Sequence, residues 1–224
     1  MKYLSIICLF VSLNSFAQKK EEDQKKDKIF ITAGYGLVGS FFVTGFQETL
    51  PFQSGNYRAF FNKKFIGNAQ NASIGFRLNS PYEIKAGMNY QHFTKRVKAN
   101  DTLRSVMIYL DNTIHHRDYM FFASLDRIFE TKKNLFSFGL GLYYIRSQDQ
   151  SIEYGTGIPD FFINKEYNYK NSNEEEGGAF VEFSYEYKFQ PRVSLGIRSQ
   201  YYYTMSAWYA ESITLFPYVK IGIR

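Results

Sequence analysis

Ala179-Phe180-Val181-Glu182-Phe183-Ser184-Tyr185-Glu186-Tyr187-Lys188-Phe189 places apolar or aromatic residues at the odd positions, and charge or hydroxyl at the even positions after Phe180. A period of two is sorted onto two faces only by an extended strand; a helix would scatter the same residues around its circumference. The stretch therefore predicts a strand with one apolar and one polar face.

Reading outward from it, the same code recurs until eight strands are counted. The first sets Ile29, Ile31, Ala33, Tyr35 and Leu37 against Thr32, Gly34 and Gly36. The second, about Ala72 to Asn79, sets Ala72, Ile74, Phe76 and Leu78 against Ser73, Gly75 and Arg77. The third begins at Tyr82, opposes Ile84, Ala86, Met88 and Tyr90 to Glu83, Lys85, Gly87 and Asn89, and continues less regularly toward Lys98. The fourth carries Tyr119, Phe121, Ala123 and Leu125 and ends near Phe129, and the fifth carries Phe136, Phe138, Leu140, Leu142 and Tyr144. The quoted segment is the sixth. The seventh opposes Val193, Leu195, Ile197 and Tyr201 to Ser194, Gly196, Arg198 and Gln200; the eighth runs from Glu211 to Arg224. Pro217 lacks a ladder donor there, which predicts a bulge or local break.

The connections alternate in length. Short turns fall at Ser80-Pro81, Thr131 to Asn134 and Gln190 to Arg192, whereas Phe42 to Gln70, Val97 to Asn112 and Gln148 to Gly177 are long. Short periplasmic turns and longer external loops are the habit of outer-membrane barrels, and every short turn here falls on the same side. A fourth external connection, Thr204 to Ala210, is brief. It carries Trp208 and Tyr209 beside Tyr201 and Tyr203, which together form an expected interfacial aromatic belt. Phe30, Tyr82, Phe129, Phe136 and Phe189 cluster at the opposite strand ends.

The N-terminus reads as a processing segment. Lys2 supplies a positive start, Tyr3 to Leu13 an apolar run too short to span a bilayer, and Ser15-Phe16-Ala17 a cleavage site, so residues 1–17 are expected to be a signal peptide. Cys8 lies within the apolar run after a bulky Ile7 and is expected to leave with it, so a mature chain starting at Gln18 has no thiol for disulfides, nucleophilic catalysis or zinc. Residues 18–28 include a run of mixed charge too polar to order itself, a periplasmic leader. Residues 29–224 form one domain. The 224-residue chain has a formal net charge of +6, but its basic residues are dispersed and give nucleic-acid binding no support.

Alternation does not say which face points inward. Gly34, Gly36, Gly75, Gly87, Gly139, Gly141, Gly196 and Gly222 all share the polar face, and small residues belong where side chains converge in a narrow lumen. The polar face is therefore expected inside, the opposite of a soluble calyx. The predicted fold is all-β, a closed antiparallel up-and-down transmembrane β-barrel of eight strands; ten remain open if Phe41 to Phe65 forms another hairpin within the bilayer.

This architecture, the signal ending in Ser15-Phe16-Ala17 and the closing strand Phe216-Pro217-Tyr218-Val219-Lys220-Ile221-Gly222-Ile223-Arg224 resemble the small outer-membrane β-barrels of Gram-negative envelopes, the class of the OmpA transmembrane domain and OmpX. Such barrels commonly end in an aromatic residue. Here the chain ends in Arg224, and Phe216 and Tyr218 supply the aromatic character. The resemblance implies residence in the outer membrane, contact with its lipid and lipopolysaccharide, and insertion by the barrel assembly machinery. It transfers no activity, because one fold hosts many functions.

The residues assigned to the lumen include Arg77, Glu83, Lys85, Asp126, Glu182, Glu186, Lys188, Arg198 and Lys220, with both signs interspersed. The turn at Gln190 to Arg192 brings Arg198 opposite Ser184, with Glu182 and Glu186 on the diagonals. Eight strands enclose a space that side chains fill, which favours a charge-plugged lumen over an ion path. Glu182 and Glu186 as an acid and base couple would have no substrate access. Outside, His115, Ser199 and Glu211 share the outward parity but lie too far apart for a serine activated by histidine. His116 and Asp118 supply at most two metal ligands, and no cofactor is expected.

Exposed loops on a rigid scaffold are where recognition resides. Gln148 to Gly177 mixes Tyr154, Phe161, Phe162, Tyr167 and Tyr169 with Asp149, Glu153, Asp160 and Glu174-Glu175-Glu176; Asn56 to Phe65 reads as a short amphipathic element over the mouth or against lipopolysaccharide. The leading expectation is a non-enzymatic envelope barrel whose loops make surface contacts or stabilise the membrane. A narrow channel for small solutes is the alternative, and a lipid-modifying enzyme the third reading.

Overall fold

The structure is a computed structural model that describes residues 28–41, 58–62, 66–78, 81–103, 106–149, 152–156, 161–165, 173–205 and 209–223. Every regular element among them is a strand: β1 (Ile29–Ser40), β2 (Arg58–Asn62), β3 (Ile66–Arg77), β4 (Tyr82–Leu103), β5 (Val106–Glu130), β6 (Asn134–Asp149), β7 (Ile152–Thr156), β8 (Phe161–Lys165), β9 (Asn173–Gln190), β10 (Val193–Thr204) and β11 (Tyr209–Ile223). The expected signal peptide and most of the expected leader fall outside the described residues.

Eight of these strands make a closed wall. Each of β1, β3, β4, β5, β6, β9, β10 and β11 pairs antiparallel with the next, and β1 returns to β11 with Ile29 opposite Ile223 and Ser40 opposite Ser212. Closure leaves the wall with no edge, so its backbone donors and acceptors are satisfied within the sheet, which is the condition for crossing hydrocarbon. The ten-stranded alternative does not occur among the described residues. β2 pairs with β4 from Arg58 opposite Asn100 to Asn62 opposite Arg96, past the end of the β3–β4 pairing at His92. The stretch around Asn56 to Phe65 thus contains a strand continuing the sheet.

The short turns tie the inner ends. Thr131 N donates to Asn134 O at 2.8 Å, with the Thr131 hydroxyl also donating to that carbonyl at 3.1 Å, and Gly222 N donates to Arg192 O at 2.8 Å across the neighbouring turn. Pro217 has the expected effect on one side only. The β1–β11 ladder skips from Gly34–Tyr218 to Leu37–Leu215 without changing register, while β10 pairs Ile197 with Pro217 undisturbed. The one register shift between β10 and β11 lies elsewhere, at Tyr202/Tyr203, where Tyr202 faces Ser212 and Tyr203 faces Ala210. Glu211 is the extra residue of that bulge. It is buried together with Ser212, so the outward parity expected for it does not hold.

The polar face is inside. Thr32, Ser73, Asn89, Gln91, Ser124, Gln200 and Thr214 are buried, whereas Ile31, Ile74, Leu125, Leu140, Phe183 and Leu215 are exposed, Leu142 to 65%. A soluble calyx would have these reversed. The exposed apolar belt around a closed polar-lined wall is the build of an outer-membrane-type β-barrel, with lipid as the solvent of the belt.

β4 and β5 run well past the rest of the wall, with pairing unbroken to Leu103–Val106. The segment Val97 to Asn112, expected as a loop, is mostly strand, paired from Val97 opposite Asn112 to Leu103 opposite Val106. A separate hairpin, β7 with β8, lies within the expected long loop from Gln148 to Gly177; Tyr167 and Tyr169 fall outside the described residues.

Candidate functional site: the lumen and its outer rim

Two connected charge groups fill the inner part of the barrel. At the inner mouth Lys188 of β9 pairs with Glu130 of β5, which Arg77 of β3 approaches at 3.4 Å. Arg77 also donates to Glu83 Oε1 through Nη2 at 2.7 Å and Nε at 2.9 Å, and Lys220 of β11 bridges from Glu83 at 3.0 Å to Glu186 at 3.2 Å. The Tyr218 hydroxyl donates to Glu186 at 2.7 Å, and the Lys220 ammonium lies 4.0 Å from the centre of the Phe30 ring.

Deeper in, Lys85 of β4 pairs with both Asp126 of β5 and Glu182 of β9. Arg198 of β10 stands across from Ser184, its Nε 3.2 Å from Glu182 Oε1, its Nη1 donating to Asn71 Oδ1 at 3.0 Å and its guanidinium 4.3 Å from the Tyr218 ring centre. Gln200 donates to the second oxygen of Glu182 at 2.7 Å, and Asn89 donates both to Gln200 at 2.8 Å and to Tyr202. Arg198 and Glu182 are wholly buried. Charges so placed persist only when paired and hydrogen-bonded, and here one is answered by the other. The two groups hold five cations, Arg77, Lys85, Lys188, Arg198 and Lys220, and five carboxylates, Glu83, Asp126, Glu130, Glu182 and Glu186.

Above them apolar side chains join the lumen beside the buried Asn89, Gln91 and Ser212. Met120, Phe122, Tyr143, Ile145, Phe180 and Tyr202 pack into one buried cluster, the Phe122 and Phe180 rings edge to face at 5.6 Å and the Tyr143 and Tyr202 rings likewise at 5.1 Å. Val38, Ala69 and Phe93 form a second cluster. Glycines make room for the rings: a side-chain carbon on Gly75 would run into Phe30, and one on Gly141 into Phe180. Phe30 is accordingly a lumen residue, buried under Lys220, and not part of an outer belt.

Nearer the outer mouth His116 Nε2 lies 2.6 Å from Asp118 Oδ1, which also accepts from Ser147 at 2.7 Å. The Tyr143 hydroxyl and Thr204 hydroxyl are 2.8 Å apart, and Thr204 donates to Glu211 at 2.9 Å. His116 and Asp118 are therefore committed to each other, and no group of three metal-ligating side chains occurs among the described residues. Glu211 is inside, while His115 and Ser199 belong to β5 and β10, which the wall separates by β6 and β9. The outer serine, histidine and carboxylate do not converge.

On the outer face Tyr201 is exposed and Tyr203 half-buried, with Tyr201 meeting Phe41 edge to face at 6.3 Å. Tyr209 opens β11, and Trp208 lies outside the described residues. The sequence reading missed Tyr90 and Tyr119 as a girdle pair, 5.2 Å between ring centres, and the histidines above them: His92 Nε2 and His115 Nδ1 are 3.1 Å apart with rings stacked at 5.2 Å. Glu130, one residue past the expected strand end near Phe129, also joins the inner charge group, and its parity with Asp126 is the signal for it.

No protein-family model matches the chain, and no curated protein matches it. Among solved structures it is similar to Neisserial surface protein A, at 16% identity over 87% of this chain and 97% of that one, with a TM-score of 0.47. It is similar also to the N-terminal β-barrel domain of Pseudomonas aeruginosa OprF, at 11% identity, 87% and 97% coverage and a TM-score of 0.44. A third is Ail, the attachment invasion locus protein of Yersinia pestis, solved with the heparin analogue sucrose octasulfate, at 9% identity, 87% and 98% coverage and a TM-score of 0.46.

Proposed function

We propose that the protein is a non-enzymatic outer-membrane barrel with a sealed lumen, which stabilises the envelope and presents its long outer hairpin and loops for contact at the cell surface. The observation that carries this reading is the stacking of two kinds of plug. Five cations matched to five carboxylates cross the inner lumen, and a packed aromatic and aliphatic cluster lies above them. An ion entering from the inner side meets paired charges that offer it no net attraction, and beyond them packed rings and side-chain amides already hydrogen-bonded to one another. Eight-stranded walls enclose a space that side chains fill. The same plug denies a substrate access to Glu182 and Glu186, which with the scattered outer serine and histidine supports a role without catalysis.

Single-channel recording of the refolded mature protein in a planar bilayer tests the reading, with folding checked by heat-dependent gel mobility. A silent membrane is the expected result. Stepwise currents that change in Glu182→Gln or Arg198→Gln would replace the sealed barrel with the narrow channel.

A further inference from the structure

Along the outer half of β9 the lipid-facing residues are small, while those beside them on the two neighbouring strands are large. The ladders place Ala179 between Leu142 of β6 and Tyr203 of β10, and Val181 between Leu140 and Tyr201. Ala179 and Val181 are half-buried between these walls, whereas Leu140 and Leu142 stand out by more than half of their surface. The result is a groove of about 460 Å³ with an almost wholly apolar lining.

Its two ends differ. Toward the middle of the wall it stops at Phe183, which is exposed and packs on Phe138 with 5.1 Å between ring centres. Toward the outer rim the strand continues to Gly177, where an added side-chain carbon would meet the Tyr143 carbonyl oxygen at 3.6 Å and nothing nearer. Polar groups begin there. Tyr144, opposite Gly177, donates a hydrogen bond to Glu175, and Glu175 stands opposite Arg146. Amphipathic aromatics mark the headgroup level, Tyr203 on this flank and the Tyr90 and Tyr119 pair on the flank of β4 and β5. Gly177 to Val181 is about 13 Å of strand, close to the roughly 15 Å of hydrocarbon in one leaflet.

We propose that this groove seats one acyl chain of an outer-leaflet lipid, its methyl end against Phe183 and its ester or amide end at Gly177. The groove opens onto the exposed apolar belt, so the medium that reaches it is hydrocarbon and not water. Its volume is about three times the roughly 150 Å³ that admits a benzene ring, room for one long chain and not for two. The polar groups at one end and the packed rings at the other set the direction of the chain. A second copy of the barrel fits poorly: a floor about 13 Å by 10 Å covers about 130 Å², against about 800 Å² per partner in a stable protein interface. A lodged chain touches the floor and both walls, whereas lipid sliding over the rest of the belt touches one side, and the added contacts separate the two by residence time. The inference is independent of whether the lumen is sealed.

The test is photolabelling of the refolded barrel in phosphatidylcholine nanodiscs doped with a phosphatidylcholine that carries a diazirine on one acyl chain, near the ester or near the methyl end. Peptide mass spectrometry maps the adducts. Labelling is expected to saturate at one lipid per barrel, with the ester-end probe on Tyr203 and the methyl-end probe on Val181 and Phe183. Ala179→Phe fills the groove from its floor and is expected to lower these adducts about tenfold. Ala86→Phe, at an exposed position on β4, is expected to lower none of them. Heat-dependent gel mobility verifies folding, and Val181→Phe is a second filling variant should the first not fold. Adducts spread around the belt in proportion to exposure, undiminished labelling of a folded filled variant, or the reverse order of the two probes would overturn the proposal. So would stronger displacement by free palmitic acid than by unlabelled phosphatidylcholine, which would make the occupant a free fatty acid. Barrels cross-linked in pairs that Ala179→Phe separates would overturn it in favour of a second copy.

Discussion

The ammonium of Lys85 sits between Asp126, on the adjacent strand, and Glu182, on a strand from which β5 and β6 separate it along the wall. One side chain thereby ties two parts of the barrel that share no backbone hydrogen bond. Glu182 in turn serves Lys85, Arg198 and Gln200 at once.

Glu182→Gln should therefore leave two buried cations short of a counter-charge, and a loss of about 3–5 kcal/mol is expected for removing one partner of a buried pair. Pairing it with Arg198→Gln should cost less than the two single losses added together. Urea unfolding in lipid vesicles measures both. A single variant within 1 kcal/mol of wild type would mean that the lumen is wet enough to screen these charges.

Gly75→Val places carbon against the Phe30 ring, and overpacking of about 1–3 kcal/mol is expected. Phe30→Ala in the same chain should recover most of the loss, at the cost of the cation–π contact to Lys220. The thermal transition of the folded band on a gel reads the effect. Failure of the second change to rescue would place the strain in the backbone and not at the ring.

Leu140 lies in the exposed apolar belt opposite Val181 and Leu125. Leu140→Arg should destabilise by about 2–4 kcal/mol if it lies near the bilayer midplane, whereas Thr94→Arg, above the tyrosine pair, should cost roughly 0–1 kcal/mol. Equal costs at the two sites would contradict the membrane boundary assigned at Tyr90 and Tyr119.

Replacing residues 95–114 with a short turn should leave the closed wall intact, because β3 pairs with β4 only as far as His92 and β6 with β5 only as far as His116. The truncated protein is expected to refold with unchanged heat-dependent mobility. Loss of folding would show that the outer hairpin nucleates the β4–β5 pairing.

The wall was legible because lipid and lumen impose opposite demands on alternate residues, and Val181, Phe183 and Tyr185 against Glu182, Ser184 and Glu186 record both. The bulge at Glu211 was not legible, since one extra residue between Ala210 and Ser212 reverses parity while leaving composition unchanged. The apolar plug was hidden for a related reason. Met120, Phe122 and Phe180 occupy lumen positions but look like members of an uninterrupted apolar run, and only the register assigns Phe122 to one face and Phe121 to the other. Above Tyr90 and Tyr119 the alternation of apolar and polar residues breaks down, and the continued pairing of β4 with β5 from Lys95 to Leu103 was not legible from it.

The even match of positive and negative groups in the inner lumen also bears on how that part of the molecule responds to voltage. A section with a surplus of one sign would be pulled along the bilayer normal by any potential across the membrane, and its charged side chains would be tugged toward one mouth. With five of each sign interlocked there, the forces on neighbours oppose each other and the field has little net charge on which to act. The inner section is electrically quiet, and its shape should stay the same whether the membrane is polarised or not.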